Sequence, residues 1–185
     1  MQFQYCSPGM LLANLFIREE PTNRLVLITG QRGAGKTSWC MNLTRLARQL
    51  GLQPVGLLSP PVFRDGRKIS IDLLDIATGE RRRLAERRIE ERADERLAVQ
   101  TANWRFDAEV LCWGNRILEQ IQDNDLLILD ELGPLELLDE KGLIAGLKTV
   151  DERRYRLGCV VARPSLLGAA RERWPWGEVM YIGGQ

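Results

Sequence analysis

Short apolar runs alternate with stretches whose apolar residues recur every three to four positions, beginning near residue 25. Leu25-Val26-Leu27-Ile28 is a continuous apolar run stopped by Thr29-Gly30, the pattern of a parallel strand buried on both faces. From Lys36 the period changes: Trp39, Leu43, Leu46, Ala47 and Leu50 fall at helical spacing, with Gly51 and Pro54 as stop signals. Val55 to Leu58 reads as a second strand. Phe63 to Leu73, turning at Asp65-Gly66, reads as an inserted β-hairpin. Asp107 is placed to cap a helix whose Val110, Gly114, Ile117, Leu118 and Ile121 share one face. Leu126 to Leu129 forms another apolar strand, ending in Asp130-Glu131. A helix over 139–150, a strand over 158–162, a helix over 165–173 and a last strand over 179–182 complete the expected series. The alternation argues for an α/β sandwich around a mostly parallel sheet.

Two segments stand apart. Residues 1–24 mix Met10, Leu11, Leu12, Leu15, Phe16 and Ile17 with Pro8, Gly9 and Pro21, which predicts one short helix in an extension packed on the domain 25–185. Residues 80–96 carry dense charges of both signs, with Ala85, Ile89, Ala93 and Leu97 spaced by four, and predict a short solvated helix or an ordered loop.

Composition narrows the chemistry. The 185 residues hold no His, so a Ser-His-Asp triad, a His general base and a His-ligated zinc are all excluded. With 26 Lys+Arg against 25 Asp+Glu the chain is nearly neutral, and nucleic acid is not an expected partner. Only Lys36, Lys68, Lys141 and Lys148 are lysines, so a lysine in a special place stands out. Cys6, Cys40, Cys112 and Cys159 form no C-x-x-C pair, which suggests reduced thiols. No apolar run is long enough to span a bilayer, and a cytoplasmic protein is expected.

Gly30-Gln31-Arg32-Gly33-Ala34-Gly35-Lys36-Thr37 is a complete G-x-x-x-x-G-K-T phosphate loop (Walker A), set between a predicted strand and a predicted helix. Its glycines let successive amides point at phosphate oxygens, and the following helix adds its positive end; Ser38 is the next residue of that cradle. Lys36 is the candidate charge for the β- and γ-phosphates, and Thr37 a candidate Mg²⁺ ligand. Asp130, ending an apolar strand, is the candidate Walker B carboxylate on the Mg²⁺ side, and Glu131 is the candidate for orienting or deprotonating water. Arg163, after the strand at 159–162, either stabilises charge on the γ-phosphate or is an ordinary strand-end residue. Arg32 either contacts nucleotide or faces solvent. Trp104 and Phe106 either stack on a nucleobase or anchor the following helix.

GQRGAGKTSW, VGLLSPPVFRDGRKISIDLLDIATGERRRLA and LLILDELGPLELL, in that order over about residues 25–182, together resemble the THEP-type nucleoside-triphosphatases. The resemblance implies a RecA-like P-loop NTPase, a three-layer sandwich with an inserted β-hairpin. It implies Mg²⁺-dependent hydrolysis of ATP, GTP and related nucleotides to diphosphate and phosphate, with low base selectivity. It maps the loop onto Gly30 to Thr37, the Mg²⁺-side aspartate onto Asp130, the catalytic glutamate onto Glu131 and the arginine ending the family's E-V-R segment onto Arg64. The family's Tyr-Thr and Glu ahead of that arginine are Leu58-Ser59 and Pro61 in this chain. Two other functions fit the same residues. One is a small-molecule kinase, for which arginines of 80–96 would form a lid; the other is a nucleotide-binding regulatory module with little turnover. A monomer or small homo-oligomer is expected.

Overall fold

The computed structural model describes residues 2–3, 6–17, 23–88, 103–130 and 132–183. Along the chain run β1 (Gln2–Phe3), α1 (Pro8–Ile17), β2 (Arg24–Thr29), α2 (Lys36–Gln49), β3 (Pro54–Leu58), β4 (Pro61–Arg64), β5 (Arg67–Asp75), β6 (Arg81–Arg87) and β7 (Trp104–Phe106). Then follow α3 (Ala108–Glu119), β8 (Asn124–Leu129), α4 (Pro134–Leu137), α5 (Ile144–Asp151), β9 (Tyr155–Val161), a 3₁₀ turn at Pro164–Leu166, α6 (Leu167–Arg173) and β10 (Glu178–Tyr181).

The strands form one sheet in the order β1-β10-β2-β9-β8-β3-β5-β6-β7, with β4 on β5. From β1 to β3 every pairing is parallel. From β3 outward every pairing is antiparallel. Register places Val179, Leu27, Val160, Leu129 and Leu57 in one row across five strands. All five belong to the apolar cluster shared with α3, α5 and α6. The adjacent row, Met180, Ile28, Val161 and Leu58, joins Trp39, Cys40, Leu43 and Ala47 of α2 in a second cluster. Successive side chains of a strand face opposite ways, so the sequence run Leu25 to Ile28 feeds both layers alternately. This is the α/β sandwich around a mostly parallel sheet that the pattern predicts, with the three layers that the resemblance implies.

Local signals explain the helices. Asp107 caps α3, its Oδ1 accepting from Glu109 N (2.9 Å) and Val110 N (3.1 Å), which satisfies two otherwise orphaned donors. From α1, Leu11 and Leu12 are buried in the α2-side cluster, and Trp39 Nε1 donates to Cys6 O at 3.2 Å. No described helix is long and apolar enough to cross a membrane.

Three expectations need correction. Residues 81–87 are a strand, not a helix or loop, and residues 89–96 of that segment lie outside the described residues. Charge on both faces of β6 hides its period: Arg81 and Arg83 reach Asp72 (2.6 and 2.7 Å), while Arg82 lies over the Trp113 ring on the other face. The helix expected over 139–150 begins only at Ile144, and α4 stands before it. The inserted hairpin is also larger than expected, because β6 and β7 extend it to four strands.

Candidate functional site

The residues 30–35 leave the end of β2 and curl into the start of α2. Gly30 has φ 153°, and a Cβ there would stand 2.2 Å from Ile182 O, so only glycine lets the loop pass beneath the segment after β10. Gly33 and Gly35 also have positive φ, 83° and 85°, which turns the backbone back toward α2. Ala34 N donates to Gln31 O (3.1 Å) and Trp39 N to Gly35 O (2.8 Å), closing the first turn of the helix. Lys36 Nζ bends back over this loop and donates to Gly30 O (2.8 Å) and Gln31 O (2.9 Å). Gln31, Arg32, Gly33, Gly35 and Ser38 are exposed, while Ala34, Lys36 and Thr37 are half-buried. The result is an open cradle of amides, one ammonium and one hydroxyl at the N-terminal end of a helix, which suits an anion.

Asp130 follows β8, whose C-terminal end lies at the same sheet edge because β2, β9 and β8 are parallel neighbours. It falls in the row of Met180, Ile28, Val161 and Leu58, so a carboxylate occupies a place on the α2 face where the other strands carry apolar side chains. It is 5% exposed. Ser59, just beyond β3, donates its N–H to Asp130 Oδ2 (3.2 Å) and its hydroxyl to Asp130 O (3.1 Å). Burial, with Asp130 and Cys159 as further causes, raises the Cys40 thiol well above 9.0. Burial pushes Cys159 up to about 12. Both thiols stay neutral, so the sandwich presents no nucleophilic sulfur under this edge.

β9 lies between the strands that carry the phosphate loop and Asp130, and Ala162 N donates to Ile28 O at 2.9 Å. Arg163 therefore emerges between them, exposed, at the same edge. Glu131 lies outside the described residues. Trp104 and Phe106 are elsewhere: β7 is six strand positions from β2, and both aromatics pack against the α3-side core, Lys68 stacking over Trp104. Arg64 sits at the turn of the β4–β5 hairpin, paired with Arg67 and exposed. Because β3 pairs β5 only at Leu74 and Asp75, the rest of β5 overruns the sheet edge; Lys68 lies roughly 20 Å along the strand beyond Leu74.

Three supporting residues were not singled out from the sequence. Ser59 is one. Glu136, 6% exposed, accepts from Gly133 N (2.7 Å) and Leu143 N (2.9 Å), so one carboxylate clamps both ends of the turn that follows Asp130. Asn115 accepts from Ala145 N (2.9 Å) and donates to Gly142 O (2.8 Å), tying the same turn to α3. The signal for Glu136 was available, since a Glu three residues after a loop glycine and two after a proline fits the third position of a helix start.

Among the described residues no group of three or more His, Cys, Asp or Glu is placed to hold a metal. The Thr37 hydroxyl and the Asp130 carboxylate are hard oxygen donors, few in number, which fits an ion that keeps phosphate and water as its remaining ligands.

A family model described as NTPase matches residues 25–169. The nucleoside-triphosphatase THEP1 of Methanopyrus kandleri is 30% identical over 112 residues, 60% of this chain and 59% of that protein. The THEP1 of Thermofilum pendens is 27% identical over 153 residues, covering 83% and 82% of the two chains, and that of Saccharolobus solfataricus 33% identical over 124 residues, covering 64% and 66%. The match thus spans about three fifths of the Methanopyrus protein's length and about four fifths of the Thermofilum protein's. The solution structure of a human cancer-related nucleoside triphosphatase superposes with a TM-score of 0.59 at 18% identity, covering 88% of this chain and 89% of that one, a likeness of fold.

Proposed function

The chain belongs to the NTPase family, and on that premise we propose that it hydrolyses nucleoside triphosphates to diphosphate and phosphate in a Mg²⁺-dependent reaction at the edge built by residues 30–38, Asp130 and Arg163. The observation that carries this reading is the placement of a complete phosphate loop and a buried strand-end carboxylate on one edge of a parallel sheet, with a single strand between them. The amides of Gly30, Gln31, Arg32, Gly33, Gly35, Lys36, Thr37 and Ser38, with Ala34 N closing the curl on Gln31 O, form the cradle for the α- and β-phosphates. Lys36 Nζ exchanges its loop carbonyls for β- and γ-phosphate oxygens, a move its flexible stem allows. Thr37 and Asp130 would hold Mg²⁺, which would supply positive charge to offset that of the phosphates. The two hydrogen bonds from Ser59 keep Asp130 pointed toward α2. Glu131 orients the attacking water, the task left to a carboxylate in a chain without His. Arg163 donates to the γ-phosphate as negative charge builds there.

On the same reading, base selectivity is low, because the residues named above address phosphates rather than the base. Residues 1–24 are an extension of the NTPase domain 25–185, and the protein works in the cytoplasm as a monomer or small homo-oligomer. The deciding experiment measures phosphate release from a panel of nucleoside tri- and diphosphates with and without Mg²⁺, using Lys36→Ala as the blank. Release well above the blank, lost on chelation, is the expected result; release equal to the blank overturns the reading.

A further inference from the structure

Along α2, a turn beyond the cradle, lies an open groove of about 430 Å³. Met41, Thr44, Arg45, Arg48 and Gln49 of α2 line one wall, and Leu58 of β3 with Leu74 of β5 line the other. It exists because of the sheet order. α2 packs on β3, whereas on the wing β5-β6-β7 the helix with several contacts to β5 and β6 is α3, on the opposite face. The groove is the step from helix to bare sheet.

Its charge is one-sided. Among the described residues two guanidinium groups enter the lining and no carboxylate does. Arg45 is held by neutral amide oxygens, Asn42 Oδ1 at 2.8 Å and Gln49 Oε1 at 3.1 Å, and Arg48 donates to Ile76 O. Such partners fix a guanidinium without cancelling its charge. Of the nearby carboxylates, Asp72 on the face of Leu74 is paired with both Arg81 and Arg83, and Asp130, beside Leu58 in its row, is buried. The rest of the contact surface is apolar, exposed Met41 facing half-buried Leu74 above buried Leu58, and the thioether suits a flat ring. Position links the groove to the neighbouring chemistry. Met41 lies one helical turn beyond Thr37 on the same face of α2, and Leu58 directly precedes Ser59, which holds Asp130.

We propose that this groove binds a second phosphorylated molecule, a nucleoside monophosphate, with its phosphate on Arg45 and Arg48 and its base against Met41, Leu58 and Leu74. Guanidinium forks match phosphate oxygens, and the groove is too apolar for a bare ion to fill. This goes beyond the hydrolase reading and does not depend on it.

Calorimetric titration of the full chain with AMP tests the proposal, run with and without a saturating non-hydrolysable ATP analogue and Mg²⁺. The expected result is one AMP per chain even when the analogue is bound. Arg45→Glu, an exposed change on a helix, should weaken AMP at least about tenfold while leaving analogue affinity intact, and Arg45→Lys should recover part of the loss. Complete displacement of AMP by the analogue, equal AMP affinity in Arg45→Glu, or equal binding by inorganic phosphate or adenosine each overturns the proposal. Failure of the analogue itself to bind counts against the hydrolase reading, and the Arg45 comparison still decides the groove.

Discussion

Ser59 and Asp130, 71 residues apart in the chain, are joined by two hydrogen bonds that run in the same direction, from the serine N–H to the carboxylate and from the serine hydroxyl to the backbone carbonyl. The carboxylate is thus held by a backbone donor that no substitution at 59 except proline removes. Ser59→Ala should lose only the hydroxyl bond, lowering stability by about 1 kcal/mol. The Mg²⁺ concentration for half-maximal phosphate release should rise a few-fold as the strand end loosens. Chemical denaturation and a Mg²⁺ titration check the two halves separately.

Glu131→Gln should reduce phosphate release at least about hundredfold and leave nucleotide affinity within a few-fold, since an amide cannot accept the water's proton. A variant that turns over at the wild-type rate removes Glu131 from the reaction.

Gly30→Ala should cost about 1–3 kcal/mol or more and abolish nucleotide binding, because the added methyl meets Ile182 O at 2.2 Å and neither backbone can yield alone. Gly168→Ala is the matched control. It lies in α6 with nothing within 4 Å of its Cβ and should stabilise by about 0.5–1 kcal/mol. Denaturant midpoints of the two variants should therefore move in opposite directions.

Alkaline stability should follow the buried thiols. Cys159 ionises near 9.0 when unfolded and about 12 when native, because burial disfavours the thiolate. A pKa raised by folding contributes stability that is complete below pH 9 and fades as pH climbs toward 12, with a slope of about 1.4 kcal/mol per pH unit for each such thiol. Cys159→Ala should flatten that slope by one thiol's share in denaturation curves between pH 9 and 11. In the native protein at pH 8, iodoacetamide should modify exposed Cys112 and spare Cys40 and Cys159; rapid labelling of either buried thiol contradicts the assignment.

Much of this was readable residue by residue. The loop 30–37, the apolar run before it and the strand ending at Asp130 were legible because a phosphate cradle and a doubly buried strand each demand narrow residue choices. Asp107 was legible as a cap because its bond is local. What stayed hidden is contact between distant segments. Ser59 was visible only as a departure from a family pattern, and nothing within its neighbourhood in sequence announces Asp130. β6 was hidden because Arg81 and Arg83 are satisfied by a strand partner and Arg82 by a tryptophan from α3, so its polar residues carry no periodic imprint. The late start of α5 was hidden as well: Glu136 and Asn115 bind Leu143 N, Gly142 O and Ala145 N, which holds the preceding turn out of the helix.

The packing of Gly30 beneath Ile182 also sets an order of events during synthesis. β2 pairs directly with β10, and the ion pair between their first residues, Arg24 and Glu178, closes 154 residues of chain. A ribosome needs on the order of ten seconds to cover that interval. Throughout it the phosphate loop has its full sequence but lacks the Ile182 backbone that packs against Gly30. Nucleotide held at residues 30–37 would fasten a loop already backed by β10, so its capture would report that β2 and β10 have paired.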